Sequence, residues 1–166
     1  MRNASAWFGC ALVIVLMGCA TSAPTSTSTP EATAAAASGK AALTGGCVGT
    51  TCTVVLNEAG GTCSVDPMEL PISSGDTVTF VTEVSSPTAA VVITPKAASG
   101  INFQNGPPGR IDRGRRHDAG AATGSADAKY TYAARFVAAG NQNVCSPIDP
   151  VICIKGGGTG DTCETN

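Results

Sequence analysis

Six cysteines bracket a long stretch of this 166-residue chain. Cys47, Cys52 and Cys63 precede it, Cys145, Cys153 and Cys163 follow it, and no cysteine lies between Cys63 and Cys145. An even set of cysteines in a small exported domain reads as a disulfide framework, for which six residues allow 15 connectivities. The empty middle implies that at least some bridges tie the N-terminal strand region to the C-terminal one. Closing so long a loop contributes about 4 kcal/mol in the chain-entropy model. Cys145 and Cys153 are the expected choice for one pair, because they flank a short turn before the last apolar segment. A metal cluster fits less well, since the chain has a single histidine and no Cys-x-x-Cys pair. No metal or other cofactor is expected.

Export itself is written in the first residues. Met1 to Gly18 carries one cation, Arg2, then Trp7, Phe8 and the apolar run Ala11 to Met17, and ends on Gly18 before Cys19. Charge, short apolar core and small residue in that order form a secretion signal, and the core falls short of the roughly 20 residues that cross a bilayer. Leu16-Met17-Gly18-Cys19 resembles the bacterial lipobox. The resemblance implies cleavage before Cys19, a diacylglyceryl group on its sulfur and an acyl chain such as palmitate on the new amine. Two or three chains, each buried methylene contributing about 0.8 kcal/mol, exceed what reversible anchoring requires. The expected location is the bacterial cell envelope, with the protein lipid-anchored to a membrane: the outer membrane, facing the periplasm or the surface. Cys10 leaves with the signal and Cys19 is taken by lipid, which leaves the six bracketing cysteines for the domain.

From Ala20 to Gly46 every residue except Glu31, Lys40 and Leu43 is Ala, Ser, Thr, Pro or Gly. Such a segment has too little apolar bulk to offset its ordering entropy and is expected to act as a tether. The organisation predicted is therefore a signal over 1–18, a lipidated cysteine and tether over 19–46, a domain over 47–155, and a Gly-rich tail over 156–166 that carries Cys163. A net charge of −2 gives no overall attraction to nucleic acid or anionic lipid, so any such binding must be local.

The middle of the chain alternates. Val78, Phe80 and Val84 share one face of Thr77 to Val84, with Thr77, Thr79 and Glu83 on the other. Tyr130, Tyr132, Ala134 and Phe136 share a face against Thr131, Ala133 and Arg135. Both patterns predict half-buried strands. Further strands are expected over Cys52–Leu56, Thr62–Val65, Met68–Ile72, Ala90–Thr94 and Val151–Ile154, separated by Gly-, Ser- and Pro-rich turns. Pro71 suits an edge strand because it cannot donate to a ladder. About seven short strands and no amphipathic helix predict an all-β fold, an antiparallel Greek-key sandwich stapled by disulfides.

Cys63 to Phe80, with its Ser74-Gly75-Asp76 turn and Thr77-Val78-Thr79-Phe80 strand, resembles the opening of cupredoxin-like domains. Tyr130 to Phe136, Gly140, Cys145 and Val151 to Ile154 resemble their close. The resemblance implies a cupredoxin-like sandwich, with an immunoglobulin-like one sharing the same turn chemistry. It stops at the metal. Blue-copper sites need two histidines and a cysteine. Cys145 stands where the ligand cysteine would, yet Ser146 to Pro150 offers no histidine, Ser86-Pro87-Thr88-Ala89 stands where the first histidine would, and His117 lies elsewhere.

Asn105 to Asp118 reads as a long loop carrying Arg110, Arg113, Arg115 and Arg116, whose forks suit carboxylate or phosphate groups. The plainer expectation is a solvated loop partly balanced by Asp112 and Asp118. No aromatic residue interleaves the run for base stacking, so nucleic acid is not an expected partner. Catalysis finds no constellation. His117 is the sole imidazole, Trp7 leaves with the signal, and Asp66, Asp76, Asp149 and Asp161 sit in turn contexts where aspartate serves the backbone. The expectation is a non-enzymatic binding or structural domain on a lipid anchor with an unidentified envelope partner. The alternative is a copper-handling or redox protein derived from a cupredoxin.

Overall fold

The computed structural model describes residues 42–97, 99–156 and 163. The chain divides into two units, Met1–Gly39 and Lys40–Asn166, of which the first lies outside the described residues, as does Cys19. Among the described residues no helix is long and apolar enough to cross a membrane.

The alternating segments become strands where their pattern requires. Thr77–Val84 is β5 and Lys129–Ala138 is β10, with Val78, Phe80, Tyr130, Tyr132, Ala134 and Phe136 all turned into the core. Around them lie β1 (Gly46–Val48), β2 (Thr51–Ala59), β3 (Thr62–Asp66), β4 (Glu69–Ile72), β6 (Thr88–Pro95), β7 (Ile101–Phe103), β8 (Arg110–Asp112), β9 (Arg116–Gly124) and β11 (Val151–Ile154). One sheet runs β1-β2-β5-β9-β7 with β3 also on β2; the other runs β4-β11-β10-β6-β8. Pro71 sits on the edge strand β4, as its missing donor demands.

The fold is all-β, but the sheets are mixed. β2 pairs with β5 in parallel, and so does β4 with β11. Four strands fall outside the expected set: β1, β7, β8 and β9. Three of these are three residues long and exist through their pairing with longer neighbours. β9 is a different case. It reads Arg-His-Asp-Ala-Gly-Ala-Ala-Thr-Gly, poor in β-formers, and is held by β5 on one side and β7 on the other. The stretch Asn105–Asp118 is thus not one long loop; it contains β8 and the start of β9.

Both sheets turn one face to a shared apolar cluster. The aromatic rings form its centre. Phe80 meets Tyr132 edge-on at 5.9 Å, Phe103 meets Tyr130 edge-on at 5.1 Å, and the two tyrosines stack at 5.3 Å. Each such ring fully buried contributes about 1.5–3 kcal/mol. β9 adds Ala119 and Ala122 to the same interior, small side chains beside the large rings.

Three disulfides join all six cysteines of the domain. Cys47–Cys52 links directly opposed residues of β1 and β2, Cys153–Cys163 joins Cys163 to β11, and Cys63–Cys145 ties β3 to the segment entering β11 across a separation of 82 residues. The last is the expected staple between the two ends. The pairing of Cys145 with Cys153 does not occur. Val144 donates its N–H to Phe136, whereas Cys153 lies opposite Lys129, farther back along β10. At about 3.3 Å per residue the two cysteines stand about 20 Å apart along the strand, beyond the roughly 7 Å a disulfide spans.

Two outcomes follow. Replacing Cys63 and Cys145 by serine lowers the unfolding free energy in urea by about 4 kcal/mol, whereas removing the Cys47–Cys52 bridge, which closes a short hairpin, costs about 2 kcal/mol. The second concerns alkali. Burial pushes Tyr130 up to about 12, and burial followed by the neighbouring Tyr130 raises Tyr132 further. A raised folded-state pKa stabilises the fold fully below the unfolded value near 10 and loses that contribution as pH rises through the folded one. These are the chain's only tyrosines. Phenolate absorbance at about 295 nm is therefore expected to stay low at pH 10–11 and to appear together with unfolding.

Candidate functional site

The arginines expected to share one loop are spread around a corner between the sheets. Arg110 lies on β8, with its Nε 3.0 Å from Asp112 Oδ1. Arg113 and Arg115 stand in the turn that crosses from β8 to β9, and Arg116 opens β9 opposite Val81. The turn is fixed by its backbone. Arg113 donates its N–H to Ala89 O, and the Arg115 carbonyl accepts from both the N–H and the Oγ1 of Thr82, at 3.1 and 2.9 Å. Of the two balancing carboxylates, Asp112 pairs with Arg110, while Asp118 instead accepts the Gly120 N–H. Arg113, Arg115 and Arg116 are exposed and make no ion pair among the described residues.

The same end of the fold carries a group that the sequence reading missed. Glu58 follows Cys52, Val54 and Leu56 on the inward parity of β2 and is only 2% exposed. Its Oε1 accepts the Gly61 N–H at 2.8 Å, and its Oε2 accepts the Ser85 hydroxyl at 2.9 Å and the Ser85 N–H at 3.2 Å. One carboxylate thereby joins the β2–β3 turn to the β5–β6 turn. The Gly61 N–H holds its pKa below the ordinary 4.5, burial opposes that, and Ser85 adds to the lowering through its hydroxyl and its N–H. The buried Thr88 hydroxyl forms no hydrogen bond of ordinary geometry, yet lies near enough to favour the charged form as well. An acid at an inward strand position just before Gly60-Gly61 is the signal that could have revealed it.

Glu58, Thr82, Glu83, Ser85, Arg113 and Gly114 line an open cleft of about 320 Å³ at this pole. The Glu58 carboxylate and the Ser85 hydroxyl are bonded to each other, and Thr82 is committed to the Arg115 carbonyl and to that of Asp112. Arg113, exposed and without an ion pair among the described residues, is suited to a carboxylate or phosphate oxygen. A second concavity, about 410 Å³, lies over β4, β10 and β11 between Met68, Lys129, Asp149 and Cys163, with Lys96 paired to Asp149 at 2.6 Å on its flank.

The residues singled out by the cupredoxin resemblance do not meet as a metal centre. Cys145 is bridged to Cys63, and His117 Nε2 lies 3.2 Å from the Gly106 carbonyl, to which it donates. Two aspartates serve the backbone as expected: Asp76 accepts the Ser73 N–H and Asp66 the Gly45 N–H, both at 2.7 Å. Asp149 makes the ion pair with Lys96, and Asp161 lies outside the described residues. No known family model matches the chain, and a search of curated proteins finds no match.

The Glu58 network yields a pH-dependent outcome. A carboxylate whose folded pKa is depressed stabilises the fold above the unfolded value and loses that contribution as pH falls through the folded one. Glu58→Gln keeps the shape but sets an amide donor against Gly61 or Ser85. It is expected to destabilise the domain by about 1–3 kcal/mol at pH 7, with the gap from wild type closing as pH drops below 4.5. Thermal melts across pH 3–7 measure it.

Proposed function

We propose that the chain is an exported lipoprotein of a bacterial envelope, held to a membrane through lipid on Cys19, whose β domain is a non-enzymatic binding or structural module. The observation that carries this reading is the complete pairing of the six domain cysteines in three disulfides. Such a framework fits an oxidising compartment, which agrees with the signal-like Met1 to Gly18 and the lipobox-like Leu16 to Cys19. The cleft also offers a binding group in Arg113, which is exposed, makes no ion pair among the described residues and suits a carboxylate or phosphate oxygen. The copper or redox reading would need a cysteine thiolate beside His117, whereas the six domain cysteines are bridged and a disulfide sulfur is a poor ligand.

Cys19→Ala in the full chain is expected to abolish acylation and to move the protein from the membrane fraction to the soluble one. Intact-mass analysis of wild type from membranes should give Cys19 as the N-terminus, with a diacylglyceryl and an acyl addition. A free Cys19 thiol in the membrane-derived protein, or a mature N-terminus beyond it, overturns the anchor. Stoichiometric copper that resists a chelator overturns the binding reading in favour of the copper one.

A further inference from the structure

We propose that the Cys47–Cys52 bridge is a thiol–disulfide exchange site, opened by an external dithiol through Cys47 while the other two bridges hold the fold. The inference rests on the pairing of the domain cysteines and not on the anchor at Cys19.

The two ends of this bridge lie in different surroundings. Cys47, on the three-residue edge strand β1, is exposed, and Cys52, opposite it on β2, is 0% exposed within the apolar cluster. Among the described residues no other cysteine is exposed: Cys63 and Cys145 are half-buried against the core, and Cys153 and Cys163 are buried. The bridge sits where the edges of the two sheets approach, with Cys47 Sγ 3.9 Å from the Pro71 carbonyl oxygen on the edge strand β4. Exchange needs a thiolate to reach a disulfide sulfur, so access decides which bridge reacts and at which end. An incoming thiolate meets Cys47, whereas Cys52 lies among packed side chains.

The exchange runs in two steps. One thiolate of the dithiol bonds to Cys47 Sγ as the bond to Cys52 breaks, and Cys52 leaves with the electron pair and takes a proton from water. The partner's second thiol, having given its proton to water, attacks the partner's own sulfur in the mixed disulfide. That closes the partner's disulfide and releases Cys47, which is protonated in turn. The partner loses two electrons and the bridge gains them as two thiols.

The fold is built to survive this opening. A free cysteine packs in an apolar interior as a small hydrophobe, so reduced Cys52 strands no strongly polar group in the core. β2 keeps its parallel pairing with β5 over Thr51 to Glu58 whatever β1 does. Just before β1 the Gly45 N–H is held by Asp66 Oδ2 at 2.7 Å, which confines the freed segment to residues 46–50 and keeps the two thiols near enough to close again. The bridge spans 5 positions, against 10 and 82 for the others, and constrains the unfolded chain least of the three.

The test uses the full chain, folded and without denaturant. Thiols outside the three bridges are first blocked with N-ethylmaleimide. Dithiothreitol is then added, samples are quenched in acid at intervals, and the new thiols are labelled in denaturant with isotopically heavy N-ethylmaleimide and mapped by mass spectrometry. Cys47 and Cys52 are expected to appear together, at least roughly tenfold faster than the other four. The species reduced only at this bridge should keep the far-ultraviolet circular dichroism of the oxidised protein. Glutathione, a single thiol, should leave its adduct on Cys47. In Cys52→Ala the freed Cys47 should react with the maleimide in the native protein, and in Cys47→Ser the buried Cys52 only after unfolding. If Cys52→Ala does not fold, the time course on the wild-type chain decides the matter. Another bridge opening first or at the same rate, glutathione on Cys52, or equal native reactivity of the two single thiols overturns the proposal. So does loss of the dichroism when only this bridge opens, or Cys47 and Cys52 found already free in the first block.

Discussion

The covalent tie between Cys63 and Cys145 is the constraint on which the two-sheet arrangement leans most. β3 belongs to one sheet, and Cys145 lies on the path from β10 to β11 in the other. Joining them closes most of the domain into a single loop and removes the unfolded chain's freedom to separate its ends. Both cysteines are themselves packed against the core. Parallel pairing of β4 with β11 brings an early strand beside the last one, so hydrogen bonds and the disulfide close the same gap between early and late chain. In a domain this small, where an apolar core alone gives a narrow margin, that redundancy matters.

The core and the staple explain why the two ends of the sheets differ in kind. The aromatic rings of Phe80, Tyr132, Tyr130 and Phe103 fill the interior. Toward the pole of the β2–β3 and β5–β6 turns the inward row of β2 ends in the Glu58 carboxylate. A charge there is tolerable only because three donors meet it. The consequence is two turns locked together by one side chain and a firm floor beneath the arginine-bearing corner.

How much of this was legible depends on how much each segment carries its own signal. β5, β10 and β11 declared themselves because β-branched and aromatic residues alternate with polar ones, or run together, over their whole length. β9 did not, because a strand of alanine and glycine is made by its neighbours: Ala119 and Ala122 are wanted inside for their small volume, and Gly120, at φ 74°, has Asn105 within 3.0 Å of where a Cβ would stand. Mixed pairing was equally hidden, since a strand buried on one face alternates alike whether its neighbour runs parallel or antiparallel. The tie between the chain's ends followed from where cysteines are absent. The partner of Cys145 depended on how far the chain travels along β10 before β11 begins, which no local pattern records.

At the arginine corner the decisive quantity is which polar groups retain capacity. Thr82 gives its hydroxyl to two carbonyls, Ser85 gives its own to Glu58, and Glu58 accepts from three donors. Arg110 is matched by Asp112. Arg113, Arg115 and Arg116 are exposed, and guanidinium forks suit planar or tetrahedral oxyanions by shape. The fold spends its buried polar groups here on fixing the turns that carry these arginines.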